Sequence, residues 1–165
     1  MLSSRCSKDE VMEAQNAWAN AITSISAAYL SGGDYVKTAT DAAGELYGYG
    51  KMEVLFKPTK AAENPFRPTP EDAMSYFVGQ DAVANGYAED KGFAINGGKG
   101  WSRVVFDNHQ IVEKGSTAIA MGTYYFTCAT TDTVDKVEYT FGYEKNDDGK
   151  LRIFLHHSSV PYAAS

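Results

Sequence analysis

Cysteine is scarce. The 165 residues hold two, Cys6 near the start and Cys128 in an apolar segment, which is neither a disulfide framework nor the paired spacing of a zinc site. Two unrelated thiols in a reducing compartment are implied. Imidazole is nearly as rare: His109, His156 and His157 are the only three, and the adjacent pair diverges on a strand, so no metal and no other cofactor is expected. No apolar run approaches the ~20 residues that a membrane span needs. Met1 to Ser7 lacks the apolar stretch of a secretory signal, so the chain reads as cytoplasmic, with no membrane partner. Positive charge is also in short supply. Lys and Arg number 15 against 21 Asp and Glu, the net charge is -6, and no basic run exceeds a pair, which excludes a phosphate-tracking surface and nucleic acid as a partner.

Aromatic side chains are what the chain has in abundance: 11 Tyr, 8 Phe and 2 Trp, rings suited to a core, a pocket wall or an interface. Ser7-Lys8-Asp9-Glu10 has the form of a capping box, and Val11, Ala14, Trp18, Ala21, Ile22, Ile25, Ala28 and Tyr29 follow at helical spacing, predicting a long amphipathic helix. Gly32-Gly33 stops it, and Asp34 caps a second helix to about residue 46. Residues 51–57 read as a strand ended by Pro58. Thr69-Pro70-Glu71-Asp72 then opens a short third helix. From Trp101 the period changes to two, predicting strands at about 100–107, 110–114, 117–129, 134–145 and 150–158 joined by tight turns.

Helices first and strands last predict an α+β domain over 9–162, between tails at 1–8 and 163–165. The expected form is a cone-shaped, curved antiparallel sheet with the long N-terminal helix and two shorter helices on its concave face. Strict alternation puts Val137, Tyr139, Phe141 and Tyr143 on one face of their strand. It also puts Leu151, Ile153, Leu155 and His157 opposite Phe154 and His156 in the last one. Two strands are apolar on both sides, more than helices on one side can cover, which predicts self-association. The interface candidates are Phe154, His156, Tyr124, Phe126, Tyr139 and Tyr143.

Three stretches, Val54-Leu55-Phe56-Lys57-Pro58, Ala73-Met74-Ser75-Tyr76-Phe77-Val78-Gly79 and Asp148-Gly149-Lys150-Leu151-Arg152-Ile153 leading into His156-His157-Ser158-Ser159, resemble the nuclear-transport-factor-2-like and SnoaL-like superfamily. Within it they look most like the association (hub) domain of calcium/calmodulin-dependent protein kinase II. That resemblance implies a non-catalytic scaffold closing into a homo-oligomeric ring of ten or more subunits, with a kinase or peptide segment as a further partner and a residual pocket for a small anionic ligand. His157 stands where the hub family has an arginine, and Lys57 where it has an acidic residue. No Gly-rich loop, H-R-D or D-F-G occurs, so the chain itself is no kinase.

The residues single out pocket candidates His157, Arg103, Glu138, Thr140, Tyr47 and Lys57. A partly buried imidazole binds anions or moves protons near neutral pH, and Arg103 with Glu138 would pair at a cavity wall. No catalytic residue is assigned. The alternative is a small-molecule enzyme in which Glu53 or Glu138 is a base and His157 or a tyrosine a donor, a reading that rests on fold analogy.

Overall fold

In the computed structural model, which describes residues 4–164, Ser7 and Glu10 close the expected capping box. The Ser7 hydroxyl accepts the Glu10 N–H and the Glu10 carboxylate accepts the Ser7 N–H, each at 3.2 Å. Helix α1 (Lys8–Leu30) follows and turns Val11, Gln15, Trp18, Ile22 and Ile25 inward. Gly32, at φ +79°, reverses the chain, and the Asp34 side chain accepts the Lys37 N–H to start α2 (Tyr35–Leu46). Strand β1 is only Leu55–Lys57, because Pro58 has no N–H to offer a ladder. Helix α3 (Pro70–Val78) begins on a second capping box, Thr69 with Asp72.

Strands β2 (Trp101–Lys114), β3 (Thr117–Cys128), β4 (Val134–Lys145) and β5 (Leu151–Ser159) form an antiparallel meander. The sheet runs β1-β5-β4-β3-β2. The α+β expectation holds, but the sheet is mixed rather than wholly antiparallel: β1 lies parallel to β5, with Phe56 opposite His156. The long connection from β1 to β5 is what a parallel pair requires.

Three irregularities break the ladders, one at the start of β2 between Trp101 and Arg103, and two further ones that bear on the site. The first of these two, between Asn108 and Gln110, joins what the sequence divides into strands at 100–107 and 110–114 into one bent strand. Gly122 pairs there with Asn108, and a Cβ at that position would come within 2.6 Å of the Tyr139 hydroxyl, so only glycine lets the strands close up. The second lies in β5: Tyr143 pairs with Ile153 and Gly142 with Leu155, leaving Phe154 as the extra residue. An extra residue reverses the alternation beyond it. Leu151 and Ile153 keep the expected inner side, and beyond the bulge it is His156 and Ser158, not Leu155 and His157, that turn inward.

The core fills the concave face under α1 and α3. Tyr124, Phe126, Tyr139, Phe141 and Tyr143 are all 3 % exposed or less within the single chain. This corrects the expectation that Tyr124, Phe126, Tyr139 and Tyr143 face another subunit: the curl of the sheet lets its own helices cover them. His156 is buried with them. Phe154 alone of the six stays half-buried on the other face, where its ring lies over Gly142. Cys6 is already inside the fold, its N–H donating to the Gly115 carbonyl at 2.7 Å. Of the expected tails, residues 1–3 and Ser165 lie outside the described residues. Among the described residues no helix is long and apolar enough to cross a membrane.

Candidate active site

Seven segments converge at one end of the concave face. Because of its bulge, β5 points both His156 and Ser158 inward, and β3 brings Tyr124 beside them. Tyr47 arrives from the C-terminus of α2, Trp18 from the middle of α1, Thr59 from the turn after Pro58, and Tyr76 and Phe77 from α3. Phe93, in a short 3-10 turn, closes the far wall.

The polar atoms form one directed chain. The Trp18 indole N–H can only donate, and it donates to the Tyr47 hydroxyl at 3.0 Å. Tyr47 is thereby free to donate its own hydrogen to His156 Nδ1, 2.8 Å away. A neutral imidazole that accepts at Nδ1 carries its hydrogen on Nε2, which lies 3.1 Å from the Tyr124 hydroxyl. With that tautomer Tyr124 accepts from His156 and has its own hydrogen left for Ser158 Oγ, which lies 2.6 Å from Thr59 Oγ1. The Tyr76 hydroxyl stands alongside and accepts the Lys60 backbone N–H at 3.2 Å.

The surroundings keep every member uncharged. His156 is sandwiched between Phe141, at a centroid distance of 3.9 Å, and Phe56, at 4.8 Å, with Trp18 edge-on at 5.7 Å. Desolvation in that stack holds the imidazole well below its ordinary value of 6.5, and neighbouring His157 adds to the effect. Burial likewise raises the Tyr47, Tyr76 and Tyr124 phenols far above 10. The cluster is therefore a set of neutral O–H donors in an aromatic box. Such a set binds a small oxyanion by charge-assisted hydrogen bonds and passes protons between hydroxyls. No carboxylate lines it, and among the described residues no three His, Cys, Asp or Glu side chains gather as metal ligands.

Of the pocket candidates, Tyr47 is a member of this cluster. The others face outward. His157 is exposed beside β1, and Thr140 pairs with it on the outer side of the sheet. Lys57 donates from there to the Ser158 carbonyl at 2.9 Å. Arg103 and Glu138 are exposed, and they pair with Thr127 and Thr123, four residues apart along β3, so they do not meet as a buried ion pair. Glu53, the other acid considered as a base, is exposed as well. The sequence reading missed Thr59, Tyr76 and Ser158 as site residues and placed His156 and Tyr124 at an interface. The pair His156 and Ser158, two apart in a strand and hence on one side, was the available signal.

The family model for metal-independent carbonic anhydrase matches residues 9–160. The chain belongs to the metal-independent carbonic anhydrase family. A metal-independent carbonic anhydrase from Nostoc sp. is 41% identical over 163 residues, covering 94% of this chain and 74% of that protein. The crystal structure of an iota-carbonic anhydrase from a cyanobacterium, complexed with bicarbonate, superposes with a TM-score of 0.91 at 36% identity, over 99% of this chain and 98% of that one. A calcium/calmodulin-dependent protein kinase type II association domain from Thiobacillus denitrificans reaches only 0.53 at 14% identity, over 90% and 93% of the two chains, a likeness of fold alone. Other nuclear-transport-factor-2-like structures share the fold at the same distance.

The fold that the superfamily resemblance implies thus stands, and the hub reading is corrected. Membership in a carbonic anhydrase family overturns the expectation of a non-catalytic scaffold with a kinase partner. The burial of the β4 aromatics also removes those side chains as a ground for a ring, while Leu55, Met121 and Val134 stay exposed on the sheet.

Proposed function

We propose that this chain interconverts carbon dioxide and bicarbonate, CO2 + H2O ⇌ HCO3− + H+, at the hydroxyl cluster of Thr59, Ser158 and Tyr124, without a metal ligand set. The observation that carries the reading is the directed chain from Trp18 through Tyr47, His156 and Tyr124 to Ser158 and Thr59. Bicarbonate takes the place of the mutual bonds among the three hydroxyls, each turning from its neighbour to an oxygen of the anion. Neutral donors suit this ligand, because charge that develops on oxygen as water adds to carbon is stabilised in a box that excludes bulk water.

The chain ends at an indole that can only donate, so it offers no proton exit on that side. His156 is accordingly a positioning residue. Held neutral, it keeps the Tyr124 hydroxyl as a donor toward Ser158. As water attacks, before the product anion displaces the Ser158–Thr59 bond, the released proton passes through the Ser158 and Thr59 hydroxyls, each taking one hydrogen as it gives one, to solvent at the Thr59 end.

The test is oxygen-18 exchange between carbon dioxide and water, followed by membrane-inlet mass spectrometry with excess chelator present. Exchange should persist under chelation and fall about a hundredfold or more in Ser158→Ala and Tyr124→Phe. Activity that chelator abolishes and zinc restores, or that both substitutions leave intact, would sink the proposal.

A further inference from the structure

Two clefts open to solvent meet the buried cluster at its Thr59 end. The first, of about 430 Å³, is lined by Tyr76, Phe93 and Asn96 together with Lys60, Lys91 and Lys99. The second, of about 360 Å³, is lined by Thr59 and Phe93 together with Lys60, Lys136 and Asp135, the last two opposite in charge. Thr59, Tyr76 and Phe93 are also walls of the cluster itself, so these clefts are where solutes reach it. Lys60 borders both clefts, follows Thr59 directly, and ties its backbone N–H to the Tyr76 hydroxyl.

The charge at this mouth opposes that of the whole molecule. The acids of the first cleft are already engaged. The Glu89 carboxylate accepts the backbone N–H groups of Ala62 and Asn64 at 2.6 Å each, and Asp90 is clamped by both terminal nitrogens of Arg67. Three lysines give +3, Glu89 gives -1, and the Arg67–Asp90 pair gives 0, a local +2 on a chain of net charge -6. An anion is repelled by the molecule at large and drawn here, whereas carbon dioxide, being neutral, feels neither force.

We infer that Lys60, Lys91 and Lys99 form an anion-collecting mouth through which bicarbonate enters and leaves, an inference that rests on the carbon dioxide–bicarbonate reading of the site. The enzyme cannot alter the overall equilibrium constant, so whatever factor the mouth adds to kcat/KM for bicarbonate it adds equally to kcat/KM for carbon dioxide. Loss of the lysines therefore lowers kcat/KM by the same factor in both directions.

Bicarbonate dehydration by the full chain, measured by stopped flow from about 10 mM to 0.5 M ionic strength, is the test. Lys60→Gln should lose about two- to threefold in kcat/KM at low salt, and the triple change of Lys60, Lys91 and Lys99 to Glu about tenfold or more. Both should converge on the parent at high salt, where the screening length is only a few ångströms. Lys60→Arg should behave as the parent. A triple variant with the parent's low-salt rate and salt slope overturns the inference, and so does a loss that persists at 0.5 M. Should the triple variant fail to fold, the contrast of Lys60→Gln with Lys60→Arg decides in the same way. A parent with no turnover removes the functional reading and this inference with it, while an active parent with salt-independent variants removes the inference alone.

Discussion

Tyr47→Phe is the sharpest probe of the site, because it deletes one oxygen and leaves two buried partners behind. The Tyr47 hydroxyl accepts from Trp18 at 3.0 Å and donates to His156 Nδ1 at 2.8 Å, and all three residues are 2 % exposed. The ring itself stays, packed against Phe56, Phe77 and Tyr49, so no large cavity opens. What is lost is the partner of an indole N–H and of an imidazole nitrogen, each costing about 1–3 kcal/mol when orphaned in the interior. A destabilisation of about 2–4 kcal/mol follows, measured as a lower urea midpoint at an unchanged slope. The catalytic effect is separate. With Nδ1 unpartnered, the imidazole is no longer held in the tautomer that donates to Tyr124, and oxygen-18 exchange should fall in the fraction that remains folded. Trp18→Phe combined with Tyr47→Phe should cost less than the sum of the single changes, since the orphaned indole donor goes with it. A Tyr47→Phe protein within 0.5 kcal/mol of the parent and equally active would refute the directed chain.

Two other outcomes are expected. His156 is neutral in the folded chain and titrates near 6.5 in the unfolded one, so below that pH the unfolded state binds a proton that the folded state refuses. Stability is then constant above about pH 7 and declines as pH falls toward the lowered folded value, by about 1.4 kcal/mol at pH 5.5. Urea midpoints from pH 8 to 5 should show this slope in the parent and lose it in His156→Asn; equal slopes in both would contradict the assignment. Arg67, fully buried, binds Asp90 through two nitrogens at 2.7 and 2.9 Å and also holds the carbonyls of Asn64 and Asp72. Arg67→Met strands a buried carboxylate and should cost about 3–5 kcal/mol, part of which Asp90→Asn restores in the double variant; a neutral Arg67→Met would contradict it.

The helices were open to reading because their signals are local: Ser7 with Glu10, Gly32 before Asp34, and Thr69 with Pro70 each act within four residues. The parallel pairing of β1 with β5 was not, since nothing in three residues says which edge they join. The site was misread for a narrower reason. Strict alternation places His157 with Ile153, and one extra residue, Phe154, hands the inward position to His156 and Ser158. From sequence a bulge of this kind carries no glycine in its own strand. Its mark is on the neighbour, where Gly142 makes room for the Phe154 ring: a Cβ there would come within 2.8 Å of it. The same slip misdirected the oligomer argument. Phe154 and His156 fall on one apolar outer face under strict alternation, yet the bulge leaves Phe154 outside and turns His156 in, and the curvature that buries Tyr139 and Tyr143 under α1 takes those rings out of the surplus surface. A sheet apolar on both faces by count is thus also what a curled sheet with displaced alternation looks like, and only the register separates the two.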